Sequence, residues 1–168
     1  MKTSERLRPT IDELKALLAY DPETGIVTYR VKRYTRNAGA PAGSIDGIYL
    51  RVGINRRDYK LHRVAWALHY GEWPSLEIDH INGVGTDNRI ANLRNVTHAQ
   101  NLKNCKIPKN NTTGLKGVFY CKRDKTWSAK IRVDYQTKCL GTFRTKEEAA
   151  QAYEAGSIRY HGEFRRAG

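Results

Sequence analysis

Ile11, Leu14, Leu17 and Leu18 recur at the spacing of one helical face, behind Thr10 and Glu13, whose separation is that of a capping box. The pattern stops at Tyr20-Asp21-Pro22, because the residue before a proline is pushed out of helical backbone. Asp21-Pro22-Glu23-Thr24-Gly25 has turn composition and Ile26 to Arg30 is β-prone, so the chain is predicted to open with helix, turn and strand. Gly39 to Gly43 is small and flexible. After it, Ile48, Leu50, Val52 and Ile54 alternate with Tyr49, Arg51 and Gly53, a period of two that puts one strand face in a core. Asn55 to Asp58 turns that strand into Tyr59-Lys60-Leu61, and Val64, Ala65, Ala67 and Leu68 with Trp66 predict a buried helix from His62 to Tyr70, closed by Gly71.

Between Leu76 and Asn104 the pattern shortens. Leu76 to His80 reads as a strand, Ile81 to Ala91 as a compact loop rich in Asn, Gly, Asp and Thr, and Leu93 to Val96 as a second strand. Thr97 with Gln100 then caps a helix that carries Asn101. Lys103 to Thr113 has little apolar content and reads as an extended basic linker. Three strands are predicted beyond it, Leu115 to Cys121, Trp127 to Val133 and Lys138 to Phe143. A helix follows, begun by Thr145 and Glu148, with Ala149, Ala152, Tyr153 and Gly156 as a stripe small enough to sit closely on a sheet. In the middle strand Trp127, Ala129, Ile131 and Val133 share one face and Ser128, Lys130, Arg132 and Asp134 the other, which leaves a partly basic face to solvent. The fold class is α+β: a domain over residues 1–104, a linker over 105–113, and a second domain over 114–168, a small three-stranded antiparallel sheet plus one helix.

Charge narrows the partners. The 168 residues carry a formal net charge of +13, so the summed field favours a polyanion: nucleic acid, an anionic membrane or an acidic protein. From Asn110 onward there are 12 Lys and Arg against 6 Asp and Glu, and before it 18 against 11, so both parts are basic, as expected if both touch one extended anion. A membrane-surface role lacks a basic amphipathic helix with Trp or Phe on its apolar face. No run of about 18 apolar residues appears, and the charged start has no apolar block after it. Neither a transmembrane helix nor a signal peptide is therefore expected, and the protein is expected in the cytoplasm. Cys105, Cys121 and Cys139 are odd in number and form no Cys-x-x-Cys pair, so they read as reduced thiols.

Hydrolysis of a phosphodiester requires a base for the attacking water, a Lewis acid for the charge on the phosphorane and leaving oxygen, and a frame that aligns them. Asp79 and His80 end one strand, Asn92 comes twelve residues after His80 just before the next strand, and Asn101 nine further on the helix. Adjacent strand residues point to opposite faces, so Asp79 and His80 share a site only at a bulge or at the strand's end, and the loop from Ile81 offers such an end. Singly, each of these residues reads equally well as turn chemistry or a cap; the combination at this spacing carries the functional reading. Ile78-Asp79-His80-Ile81-Asn82-Gly83 through Asn88-Arg89-Ile90-Ala91-Asn92-Leu93 to Asn101 closely resembles the HNH nucleases, in particular phage and intron-borne homing endonucleases. Leu61-His62-Arg63-Val64 resembles the segment ahead of the motif in that subgroup. The resemblance implies a ββα-metal domain with His80 as general base, Asp79 as metal ligand and Asn92 orienting the base. Asn101, standing where the family has its final His, is then the second metal ligand of an H-N-N variant. Hard oxygen donors from Asp79 and Asn101 suit a single Mg²⁺ or Mn²⁺ better than Zn²⁺, and an unperturbed His, with pKa ~6.5, is largely neutral and able to accept a proton. His62, His69, His98 and His161 read as surface or packing residues, with a place near the scissile phosphate as the lesser option for His62-Arg63.

Leu115-Lys116-Gly117-Val118, Trp127-Ser128-Ala129-Lys130-Ile131-Arg132 and Leu140-Gly141-Thr142-Phe143 with Glu147-Glu148-Ala149-Ala150-Gln151-Ala152-Tyr153 resemble the AP2 DNA-binding domain of plant regulators and phage nucleases, over nearly all of Asn110 to Gly168. This implies DNA contacts from Lys116, Phe119, Lys122, Arg123, Lys130, Arg132 and Lys138. The plant family has Arg at the position of Phe119 and usually Trp at Cys139, so base preference does not carry over. Arg63, Lys103, Lys106 and Lys109 are further candidate DNA contacts. The expectation is a metal-dependent endonuclease of phage or homing type acting on double-stranded DNA, a monomer, or a dimer if both strands are cut. Its rival is a sequence-specific DNA-binding regulator whose HNH domain is catalytically degenerate.

Overall fold

Thr10 and Glu13 form the expected capping box, Glu13 Oε2 accepting from Thr10 N at 2.8 Å and Thr10 Oγ1 from Glu13 N at 3.2 Å. The helix they begin, α1 (Ile11–Leu17), is shorter than its apolar pattern, because Leu18 opens strand β1 (Leu18–Tyr20), which pairs antiparallel with β2 (Val27–Tyr29). Leu18 is buried in the strand as it would be in the helix, so periodicity cannot separate the two; pairing with Tyr29 does. The computed structural model describes residues 8–104, 107, 111–133 and 135–165, and the chain forms two compact units, one ending at Val96 and the other beginning at Thr97. Cys105, Lys106, Lys109 and much of the expected linker lie outside the described residues.

In the first unit β3 (Ser44–Asp46), β4 (Tyr49–Ile54) and β5 (Arg57–Lys60) form an antiparallel meander in chain order. Asn55 and Arg56 turn β4 into β5 with φ of 50° and 61°, the left-handed pair that a two-residue hairpin requires. Helix α2 (Leu61–Tyr70) follows β5 without a break and ends at Gly71, whose φ of 76° lets its N–H reach Ala67 O. Leu14, Leu18, Val27, Val52, Ile54, Leu61 and Val64 build the core, and Ile78 and Leu93 join it. Those two belong to the hairpin of β6 (Glu77–His80) and β7 (Leu93–Val96), so the hairpin is anchored on the same core as α2.

The second unit begins with α3 (His98–Lys103), capped by Thr97 and Gln100 as expected, and Lys116 Nζ donates to Lys103 O at 3.0 Å. Strands β8 (Val118–Cys121), β9 (Thr126–Val133) and β10 (Gln136–Phe143) form an antiparallel meander in chain order, with a register shift in β10 between Cys139 and Gly141. Helix α4 (Lys146–His161), begun by the Thr145 and Glu148 capping box, packs on one face of it, its Ala149 buried with Val118 and Ala129 of the sheet. The sheet therefore has the three antiparallel strands and single helix that were expected. No helix among the described residues is long and apolar enough to cross a membrane.

Candidate functional site

The β6–β7 ladder sets the direction of every side chain in the candidate site. His80 pairs with Leu93, Asp79 with Arg94 and Ile78 with Asn95, in unshifted register. Period two then puts His80 on the face of Ile78 and Leu93, toward the core, and Asp79 with Arg94 on the other. Burying Ile78 and Leu93, at about 2 kcal/mol each, locks that choice, since a one-residue slip would exchange the faces. His80 is the last residue of β6, so the strand does end where a shared site needs it to. The ladder nonetheless stays regular to that end, and the neighbours of the two side chains are different.

The loop between the strands is braced by Asn92. Its Oδ1 accepts from Asn82 N at 3.0 Å and its Nδ2 donates to Asp87 O at 2.8 Å, tying the loop's start to its end. Asp87 adds bonds from Asn82 Nδ2 and a bidentate pair from Arg89, which hold its carboxyl well below the usual range, at about 2, the Arg89 bond being the main cause. The product of this bracing is the placement of Asn88, only 2% exposed, whose Oδ1 stands 3.1 Å from His80 Nε2. Tyr20 Oη donates to Asn88 O at 2.7 Å and Ile90 N to Pro22 O at 3.0 Å, so the N-terminal strand pair supports the loop from behind. Asn92 thus acts on the loop, and Asn88 is the asparagine that meets the imidazole.

His80 is 4% exposed and sits among rings. The centroid of His62 lies 5.1 Å away at an interplanar angle of 82°, and that of Tyr49 5.7 Å away at 32°. Burial pushes the His80 pKa down, against the opposing pull of the Asn88 bond, Asp79 and Asp87, which leaves the ring neutral at neutral pH. His62 is buried further in effect: burial first, then His80, Arg63 and Lys60, bring its pKa down to about 3. Of the residues at the site, Asn88, Tyr49 and Arg94 have no role assigned from sequence, and His62 reads as a surface or packing residue, with a place near the scissile phosphate as the lesser option. Asn88 lies within the motif, and His62 is signalled by its place in the apolar run of α2 and by the likeness of Leu61-His62-Arg63-Val64 to the segment ahead of the motif. Tyr49 occupies the polar phase of β4 and gives no signal at all.

Asp79, 7% exposed, receives Arg94 Nε at 3.0 Å and Nη2 at 2.8 Å, both on Oδ2. This buried carboxylate already holds a cation, and it is a hard oxygen donor. No group of three or more His, Cys, Asp or Glu able to hold a metal occurs among the described residues. A lone carboxylate of this kind suits ions that take one or two protein oxygens and complete their shells with water and phosphate. Asn101 lies in the other unit, on α3, with its backbone N–H on Thr97 O. Arg63 donates to Leu76 O and Pro74 O at 2.8 and 2.9 Å, so its guanidinium ties α2 to the approach to β6.

In the second unit the cross-strand register puts Phe119, Ser128, Lys130, Arg132 and Thr137 on the face opposite α4. Phe119 is 50% exposed with Lys130 Nζ 5.9 Å from its ring centroid, and Tyr135 is 63% exposed with Arg132 Cζ at 6.0 Å. Cations and exposed rings therefore alternate across one sheet face. Lys116, Lys122, Lys130 and Arg132 also line an open groove, while exposed Arg123 is paired with Asp124 at 2.8 Å. Lys138 differs: it pairs with buried Ile131, and its Nζ lies 4.9 Å from the ring of Tyr160 on α4, which places it on the helix side of the sheet.

Comparison with known proteins falls on the same hairpin. Residues 59–103 match the family model described as HNH endonuclease. Protein 3.8 of Escherichia phage T7 is 29% identical over 119 residues, which cover 66% of this chain and 98% of the phage protein. No solved structure matches the chain. The segment that runs from α2 through the Asn92-braced loop is similar to an HNH endonuclease domain, and the chain is similar to a phage protein.

Proposed function

We propose that this protein is a metal-dependent endonuclease that hydrolyses phosphodiester bonds in double-stranded DNA, with His80 as the general base. One observation carries the reading: a buried, neutral imidazole at the end of β6 is anchored at Nε2 by Asn88, within a segment similar to an HNH endonuclease. With Nε2–H donating to Asn88 Oδ1, the lone pair sits on Nδ1, and this atom takes the proton of the attacking water. Asn92 serves the base at one remove, by fixing the loop that delivers Asn88. Asp79 is the carboxylate ligand of the metal, and the family resemblance adds Asn101 as a second oxygen donor. A Mg²⁺ or Mn²⁺ ion there supplies Lewis-acid stabilisation of the phosphorane and the leaving oxygen. The sheet face of Phe119, Lys130 and Arg132, with Lys116 and Lys122 beside it, serves as an AP2-like surface that holds the duplex. The likeness to a phage T7 protein supports a phage setting for this activity.

The test is His80→Ala. Cleavage of duplex DNA in Mg²⁺ or Mn²⁺ is expected to fall about a hundredfold or more, the contribution of a general base, with DNA affinity within about twofold of wild type, since a buried neutral ring contributes little to phosphate binding. If the wild-type chain binds DNA but cuts no duplex with either ion, the protein is a DNA-binding regulator on a nuclease frame.

A further inference from the structure

We propose that His62 is a positioning residue of this site: with Tyr49 it clamps the ring of His80 and so fixes the direction in which Nδ1 points. The inference rests on the assignment of His80 as general base. Three elements contribute one ring each, α2 with His62, β4 with Tyr49 and β6 with His80, and the three rings close a triangle. His62 meets His80 at 5.1 Å and 82°, Tyr49 meets His62 at 5.2 Å and 71°, and Tyr49 meets His80 at 5.7 Å and 32°. Edge-on and tilted ring packing of this kind favours one orientation over others.

The need for a clamp follows from the geometry of an imidazole. Its Cβ–Cγ torsion is broad, so rings packed against the imidazole restrict where Nδ1 points in addition to the bond at Nε2. A displacement of about 1 Å at a reacting atom is enough to cost about a hundredfold in rate. His62 and Tyr49 supply such packing from two different elements. Their own positions are fixed: His62 sits 6% exposed in the first turn of α2, between Leu61 and the core residues Val64 and Ala65, and Lys60 Nζ covers the Tyr49 ring at 5.0 Å. His62 Nδ1 is buried without a hydrogen-bond partner among the described residues, and burial keeps the ring uncharged. The ring therefore works here as a wall, by its shape.

The experiment compares His62→Ala with His62→Phe in the full chain, measuring single-turnover cleavage of duplex DNA, DNA affinity, thermal stability and the ¹³C–¹H spectrum of the His80 ring. His62→Ala is expected to slow cleavage about tenfold to a hundredfold with affinity unchanged, and to shift and broaden the His80 ring signals once the neighbouring ring is gone. His62→Phe restores the wall: cleavage returns to within about threefold of wild type, a small change on the same scale, and the His80 signals stay sharp. Folded His62→Ala cutting at the wild-type rate overturns the proposal, as does His62→Phe impaired as deeply as His62→Ala, which would assign the role to the ring nitrogen. If His62→Ala does not fold, Tyr49→Leu removes the other wall and is expected to give the same loss in rate at constant affinity; an unchanged rate there overturns the clamp equally. Should the wild-type chain cut no DNA, the nuclease reading fails by itself, and the His80 spectrum in His62→Ala still decides whether the clamp exists.

Discussion

Asp79 and Arg94 carry opposite charges out of water in facing positions of one hairpin, and this is where the proposed metal site and a structural ion pair make different demands on the same carboxylate. A pair this buried contributes little net stability compared with apolar residues, but removing one partner costs about 3 to 5 kcal/mol because the other charge stays buried. Arg94→Met is accordingly expected to destabilise the protein on that scale in chemical denaturation. If Asp79 is a metal ligand, millimolar Mg²⁺ or Mn²⁺ restores part of the loss, because an ion that binds only the folded state stabilises it by mass action. A variant whose stability ignores both ions removes Asp79 from the set of ligands. Asp79 and His80 are legible in the sequence because the motif names them. Arg94 is not, since its role comes from cross-strand register, which appears only once the loop length has set which residue faces Asp79.

At the scale of elements, the sequence displays local signals and conceals long-range ones. All three capping boxes formed, because each is settled within four residues. The exchange of the last turn of α1 for β1 and the grouping of α3 with the second unit depend on partners beyond the local pattern, which carries no trace of them. The turn between β1 and β2 shows how such partners reach the site. Gly25 has φ of 74°, and a Cβ there would stand 2.4 Å from Arg89 N and 2.6 Å from Asn88 C, so the turn presses directly on the backbone that presents Asn88. Gly25→Ala must therefore strain its own backbone or displace the loop, at about 1 to 3 kcal/mol. Displacing the loop moves Asn88 away from His80 Nε2. The expected result is a lower melting temperature and at least about tenfold slower cleavage, the sensitivity of a misplaced catalytic group, with DNA affinity retained. Wild-type cleavage by a measurably destabilised Gly25→Ala protein would show that Asn88 does not position the base.

For the whole molecule the governing quantity is charge, which is positive both before and after Asn110. Each phosphate held by a Lys or Arg adds about 0.9 to the slope of log affinity against log salt, so that slope measures how many phosphates are neutralised, without regard to sequence recognition. The sheet of the second unit offers an internal control, because its cations lie on two faces: Lys130 and Arg132 away from α4, Lys138 toward it against Tyr160. If the open face meets duplex DNA, Lys130→Gln with Arg132→Gln in the full chain weakens binding similarly on unrelated sequences and lowers the slope by about 2, roughly one for each phosphate no longer neutralised. Lys138→Gln removes charge of the same kind and leaves the slope where it was, so net charge alone cannot mimic the result. Titrating both variants on one duplex between about 50 and 200 mM salt, the range over which phosphate binding changes affinity most visibly, separates the two faces. Equal slopes for the two variants would place the DNA somewhere other than this sheet and leave the first unit to hold its substrate without it.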